Sequence, residues 1–137
     1  MRLSVLALGL ALVVSISQLV EAQQAGKIWR IGVLAGLDPG GPRWAPFREG
    51  LRGLGYVEGQ NIVLESRSSG GRAERFPDFA AELVRLKVDV IVAGDNPAIA
   101  AAQEATRTIP IVMVLAQDPV ASGFARSLAR PGGNLTG

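Results

Sequence analysis

The sequence contains no cysteine and no histidine. Their absence excludes disulfide bonds, thiol nucleophiles, Ser-His-Asp triads and nearly all zinc sites. The functional groups that remain are carboxylates, hydroxyls, amides, arginines and backbone dipoles. Such a set suits the recognition of a small solute better than catalysis, so we expect neither an enzyme nor a metal site.

Positive charge is not concentrated in any part of the chain. The 137 residues have a formal net charge of +2, and arginines are scattered along the whole length. Nucleic-acid-binding proteins usually gather Lys and Arg on one face or in one run, so we expect no nucleic-acid partner. Because 48% of the residues are hydrophobic, the chain is expected to form a folded domain with a core.

The N-terminus has the pattern of an export signal. Arg2 precedes an apolar run over residues 3–14, and Ala22 ends a small-residue site of the kind that signal peptidase cleaves. Polar residues from Ser15 onward interrupt the run well short of the ~20 apolar residues that a membrane-spanning helix needs. We therefore interpret residues 1–22 as a cleaved signal peptide.

Cleavage after Ala22 would leave a mature chain of residues 23–137. This chain has no cysteine that could carry a lipid, so we expect no stable membrane anchor. An exported chain without disulfides must depend on its core for stability. These features predict a periplasmic protein.

Strand and helix patterns alternate along the mature chain. Apolar, β-branched segments predict four strands, at residues 28–36, 61–68, 88–94 and 109–116. Three- and four-residue spacing predicts four helices, which begin near Trp44, Phe76, Asn96 and Pro119, the last extending to Ala129. The order favours an α/β fold, a parallel sheet with helices on both faces.

The pattern also predicts one buried helix residue, one helix cap and a fifth strand. Leu54 is expected on the buried face of the first helix, together with Trp44. Asn96 is expected to be the N-cap of the third helix, because a proline follows it. A fifth strand is expected to begin at Leu135 and to be truncated before it can pair along the fourth, leaving an unpaired apolar edge.

The predicted strands place polar loops at one edge of the sheet. In open parallel sheets, ligands bind beyond the carboxyl ends of the strands. The residues that follow the first, third and fourth strands there are the candidate ligand-binding residues: Gly36, Leu37, Asp95, Asn96, Gln117 and Asp118. Asp and Asn before proline are also common N-caps, so capping is the alternative role for these polar residues. Trp44 is expected mainly in the core, with an aromatic cleft wall as its second role.

Several stretches of this chain resemble a known family. They are FREGLRGLGYVEGQNIVLESR, FAAELVRLKVDVIVAG, IPIV and DPVASGFARSLARPGGNLTG. These stretches look like the substrate-binding proteins of ABC transporters, in the branch that includes tryptophan- and tyrosine-uptake components. The similarity extends from about Ile31 to Gly137. Two residues depart from the family pattern. Asn96 stands where the family has a small or hydroxyl residue, and Gln117 stands where glycine is common.

The resemblance implies the first lobe of a type I periplasmic binding protein, which traps a solute between two lobes. Its partners would be a small-molecule solute, for which this branch suggests an amino acid, and the membrane permease of an ABC transporter, with no cofactor. Family members are roughly twice as long, so residues 23–137 are expected to be an incomplete protein that binds solute poorly alone. Two alternatives stay open: an exported α/β enzyme that uses Asp95 or Asp118 as a base, and an inactive truncated gene product.

Overall fold

A computed structural model describes residues 26–127 and 129–137. The predicted signal peptide, residues 1–22, lies outside the described residues. The strands are β1 (Trp29–Ala35), β2 (Ile62–Ser68), β3 (Val90–Ala93), β4 (Ile111–Met113) and β5 (Leu135–Thr136). The helices are α1 (Ala45–Gly53), α2 (Phe76–Arg85) and α3 (Asn96–Ala105), and short 3-10 turns at Pro42–Trp44 and Ala73–Arg75 precede the first two.

All five strands are parallel, in the order β2-β1-β3-β4-β5. The strand β1 lies between β2 and β3. Its residue Val33 pairs with Ser66 of β2 on one side and with Val92 of β3 on the other. The carboxyl ends of β1, β3 and β4 therefore come together at one edge. The predicted α/β fold class is confirmed.

The core has two layers, one on each face of the sheet. Side chains alternate along β1, so that Ile31 and Val33 face the layer with Trp44 beside α1, while Leu34 faces the layer with α2 and α3. The second layer is the larger, and its Phe76, at the start of α2, is only 2% exposed. Helices on both faces explain why β3 is an almost continuous apolar run.

Two predictions about helix positions are wrong. The N-cap of α3 is Asp95 and not Asn96, because the Asp95 carboxylate accepts a hydrogen bond from the amide of Ala98 while Asn96 begins the helix. Leu54, predicted on the buried face of the first helix, lies just beyond the end of α1 and is 78% exposed. Its backbone no longer follows the helical spacing from which its burial was predicted.

The predicted fourth helix, from Pro119 to Ala129, does not form within the described residues. The chain makes a single turn there, closed by a bond from the Phe124 amide to the Pro119 carbonyl and another from the Gly123 amide to the Val120 carbonyl. Gly123 has φ +77°. This pair of bonds around a left-handed glycine is a Schellman ending, which stops a helix.

The expectation that the fifth strand would end before pairing is also wrong. Leu135 lies opposite Ile111 and Thr136 opposite Val112, so β5 pairs with two of the three residues of β4. The Asn134 side chain donates to the Ile109 carbonyl oxygen at 2.7 Å and holds the approach to β5. Leu135 is buried, and β5 rather than β4 is the edge strand at this end of the sheet.

Candidate functional site

A cleft of about 210 Å³ lies at the carboxyl edge of the sheet. Four of the six candidate ligand-binding residues line it, namely Gly36, Leu37, Asp95 and Gln117. The other two, Asn96 and Asp118, do not line it. A slightly larger cavity, about 250 Å³, opens at the opposite edge, where β1, β2 and β3 begin. The carboxyl edge is the one at which parallel sheets bind ligands.

Two glycines form the floor of the cleft, so the floor is main chain. A Cβ on Gly94 would lie 2.7 Å from Cζ2 of the Trp44 ring, closer than real Cβ contacts. A Cβ on Gly36 would lie 2.8 Å from Oδ2 of Asp95. Gly94 is therefore required because the packed Trp44 ring occupies the space, whereas a side chain at Gly36 would have to displace the Asp95 carboxylate.

The Trp44 ring packs beneath this floor. It is 5% exposed, and its ring meets the Phe47 ring edge to face, with centroids 5.5 Å apart. The ring belongs to the core layer beside α1 and also lines the cleft. The core role expected for Trp44 is confirmed, and its role as a cleft wall stays a prediction.

Asp95 links two neighbouring loops through its carboxylate. Its Oδ1 accepts from the amide of Ala98 at 3.0 Å, and its Oδ2 accepts from the amide of Gly36 at 2.8 Å. The first bond caps α3, and the second ties the end of β1 to the end of β3. Both oxygens are occupied by backbone amides, which matches the capping role more closely than a ligand contact.

Asn96 pairs with the backbone of the loop after β4. Its Oδ1 accepts from the Gln117 amide at 2.9 Å, and its Nδ2 donates to the Gln117 carbonyl oxygen at 3.0 Å. The Ser122 hydroxyl donates to the same carbonyl oxygen at 3.1 Å. The side-chain amide therefore pairs with both main-chain groups of Gln117, and it holds that residue at the cleft.

Asp118 caps the turn that follows. Its Oδ1 accepts from the Ala121 amide at 3.0 Å, and the residue has φ +42°, a left-handed conformation that Asp tolerates better than most side chains. Asp118 is exposed. Its observed contact is a capping bond, and a ligand contact from it stays a prediction.

Two further residues line the cleft that were not among the candidates predicted from the sequence, Arg43 and Leu115. Arg43 lies in the 3-10 turn before α1, within a proline- and glycine-rich loop that predicted no contact of its own. Leu115 follows the end of β4 and is 58% exposed. The apolar run predicted that the fourth strand continues through residue 116, so nothing in the sequence indicated that Leu115 lies beyond the strand end.

The described residues hold no cluster of three His, Cys, Asp or Glu side chains that could bind a metal ion. Among the same residues, no helix combines the length and apolar character needed to cross a bilayer. The chemistry of the cleft comes from its main-chain floor, apolar walls, one arginine and amide groups.

Comparison with known proteins places the chain among transport proteins. The family described as ABC transporter substrate binding protein matches residues 43–137. A tyrosine-binding protein from Clostridioides difficile (strain R20291) is 36% identical over 91 residues, which are 66% of this chain and 26% of that protein. The chain thus spans about a quarter of the length of this relative.

Solved structures agree with the sequence relatives. A ligand-free, open substrate-binding protein with adhesive properties from Clostridium difficile matches with a TM-score of 0.73 and 28% identity, over 79% of this chain and 37% of that one. A domain from Streptococcus pneumoniae in complex with L-Trp matches with a TM-score of 0.71 and 27% identity, over 81% and 38% of the two chains.

The family match covers more than half of the chain, and the parallel sheet agrees with that of the solved structures. The resemblance predicted from the sequence is confirmed. The chain belongs to the ABC transporter substrate-binding protein family.

Proposed function

We propose that this chain forms one wall of a solute-binding site that delivers a small molecule to the permease of an ABC importer. The observation that carries the proposal is the cleft at the carboxyl edge, with its main-chain floor at Gly36 and Gly94 and the Trp44 ring below. A floor without side chains leaves room for a solute to lie close to the ends of β1 and β3. The buried Trp44 ring supports this floor from the core side, and the pocket lining is partly apolar, as in most small-molecule sites.

The size of the cleft supports a two-walled site. Complete ligand pockets are roughly 300–1,000 Å³ and cover most of the ligand surface. The cleft here is about 210 Å³ and open to solvent, as expected when a second lobe supplies the other wall. In such proteins, closure around the solute shifts the population toward the state that the permease recognises.

The solute is proposed to be an aromatic amino acid. One relative is a tyrosine-binding protein, and one solved neighbour was determined in complex with L-Trp. The exposed apolar side chains of Leu37 and Leu115 beside Trp44 suit such a side chain. The alternative of an exported enzyme has less support, because both oxygens of Asp95 accept backbone hydrogen bonds and Asp118 caps a turn.

Export to the periplasm, with removal of residues 1–22, belongs to the same proposal. It rests on the N-terminal sequence pattern and on the transport family. N-terminal sequencing of protein recovered from the cell envelope should give Gln23 as the first residue. Recovery of a product that keeps Met1 would contradict it.

Nuclear magnetic resonance of the ¹⁵N-labelled mature chain tests the binding site. Because one wall gives only part of the contacts, we expect L-tryptophan or L-tyrosine to bind weakly, at millimolar concentrations. The amide signals of Gly36, Gly94 and Leu115 should shift, while that of Arg107, in the loop that precedes β4, should not. Shifts confined to the opposite edge of the sheet, or none up to the solubility limit, would refute the proposed site.

A further inference from the structure

The cleft contains one charged group without a partner in the described part of the chain. Arg43 lines the cleft and the adjoining cavity, which is bordered by Leu37 and Pro42. Its side chain is exposed, and it makes no ion pair or hydrogen bond with any residue in 26–127 or 129–137. Most exposed arginines are merely solvated, so its significance depends on how it is held and what surrounds it.

The backbone that carries Arg43 is fixed on both sides. Trp44, the next residue, is buried in the core. In the preceding loop, the Gly41 amide donates to the Asp38 carbonyl oxygen at 3.0 Å, and the Arg48 guanidinium donates to the carbonyl oxygens of Pro39 and Gly41. The Cα of Arg43 is therefore held at the rim of the cleft, so less order must be created when its guanidinium binds a ligand.

The carboxylate that lines the cleft is hydrogen-bonded to the main chain. The carboxylate of Asp95 accepts hydrogen bonds from the amides of Gly36 and Ala98, one to each oxygen. It is directed at the main chain and is not paired with Arg43. Arg43 is thus the charged side chain of the cleft that has no hydrogen-bond or ion-pair partner among the described residues, and a guanidinium is the side chain best suited to hold a carboxylate through two parallel hydrogen bonds.

Apolar surface lies beside this positive charge. Leu37 and Leu115 are 54% and 58% exposed and line the same cleft as the buried Trp44 ring. We propose that Arg43 determines specificity by holding the carboxylate of a solute whose apolar body lies against Leu37 and Leu115. This inference rests on the proposed function and assigns the anionic end of the solute to one side chain.

The experiment compares two probes that differ in one group. L-tryptophan has a carboxylate, whereas tryptamine keeps the indole ring and the ammonium but lacks it. Both are titrated into the ¹⁵N-labelled chain, and dissociation constants are taken from the shifts of the Gly36 and Gly94 signals. Arg43→Gln removes the charge, Arg43→Lys keeps it without the planar fork, and Arg107→Gln is the matched control outside the cleft.

The expected result is a loss confined to one variant and one probe. Solvent reduces the binding free energy that a charged hydrogen bond contributes at an exposed site. Arg43→Gln should therefore weaken L-tryptophan binding about tenfold. Tryptamine binding should stay within about twofold, Arg43→Lys should lie between the two, and Arg107→Gln should match the wild type. Added salt should weaken L-tryptophan binding to the wild type more than to Arg43→Gln.

The outcomes separate this inference from the proposed function. If Arg43→Gln weakens both probes equally, or neither, while the wild type binds at the cleft, Arg43 does not hold the carboxylate and the inference is wrong. If the wild type shows no shift at Gly36 and Gly94 with either probe, the proposed solute class fails, and the inference fails with it. Well-dispersed spectra of each variant exclude loss of folding as the cause.

Discussion

Replacing Asp95 by alanine tests whether its carboxylate stabilises the lobe or contacts the solute. The substitution removes the N-cap of α3, a loss of about 1 kcal/mol, and leaves the half-buried amide of Gly36 without its acceptor, which costs about 1–2 kcal/mol more. The free energy of unfolding should therefore fall by about 2–3 kcal/mol. For a domain of this size the midpoint of thermal unfolding should fall by about 8–12 °C.

Two matched variants separate the contributions of the Asp95 hydrogen bonds from that of a single capping bond. Asp95→Asn keeps one acceptor oxygen, and Asn caps a helix nearly as well as Asp, so it should lose only about half as much stability. Asp118→Ala removes one capping bond in an exposed turn and should cost about 0.5–1 kcal/mol. Circular dichroism during heating and in urea, on the mature chain, measures all three.

Two results would refute the reasoning. The first is an Asp95→Ala protein that is no less stable than Asp118→Ala, which would mean that the bridge between the two loops contributes nothing. The second is an Asp95→Asn protein with wild-type stability that no longer binds L-tryptophan at any concentration. That result would restore the ligand contact predicted from the sequence.

Two further substitutions probe the floor and wall of the cleft. Gly94→Ala should displace the Trp44 ring, because the new methyl group would lie 2.7 Å from it; we expect a loss of about 1–3 kcal/mol and a red-shifted indole emission, measured in a Trp29→Phe background. Unchanged emission would show that the ring is not in contact with this residue. Asn96→Ala should speed hydrogen exchange of the Gln117 amide about tenfold or more while leaving the exchange of the β3 amides unchanged, because only the loop loses its partner. Equal exchange in wild type and variant would contradict the pairing.

Much of the fold could be predicted because its signals are local and repeated. The apolar runs around Val33 and Val92 and the stripe from Phe76 to Leu83 identify strands and a helix without knowledge of distant residues. The helix predicted from Pro119 to Ala129 had no such unambiguous signal. Its apolar spacing suits a helix, but Gly123 can adopt a left-handed conformation that ends one, and spacing alone does not say which effect dominates.

The candidate site could be predicted to the level of the sheet edge and not to the level of atoms. Strand ends locate Gly36, Asp95 and Gln117, because parallel strands share one carboxyl edge. The partners of these residues lie far away in the sequence. Asn96 pairs with the main chain of Gln117, 21 positions away, and Asp95 with the amide of Gly36, 59 positions away. No pattern along the chain encodes such pairings.

The residues around the cleft differ in how strongly the fold constrains them, which bears on how the proposed binding site could change over evolutionary time. The groups that secure the loops, Asp95 and Asn96, point at backbone amides and carbonyls, and the floor has no side chains to alter. Leu37, Arg43 and Leu115 project from the rim and contribute little to the core. Because surface substitutions away from caps and core usually change stability by less than about 0.5 kcal/mol, mutations at these three positions can be sampled without unfolding the lobe. Descendants of one scaffold could thus diverge in what they carry while inheriting the same architecture intact.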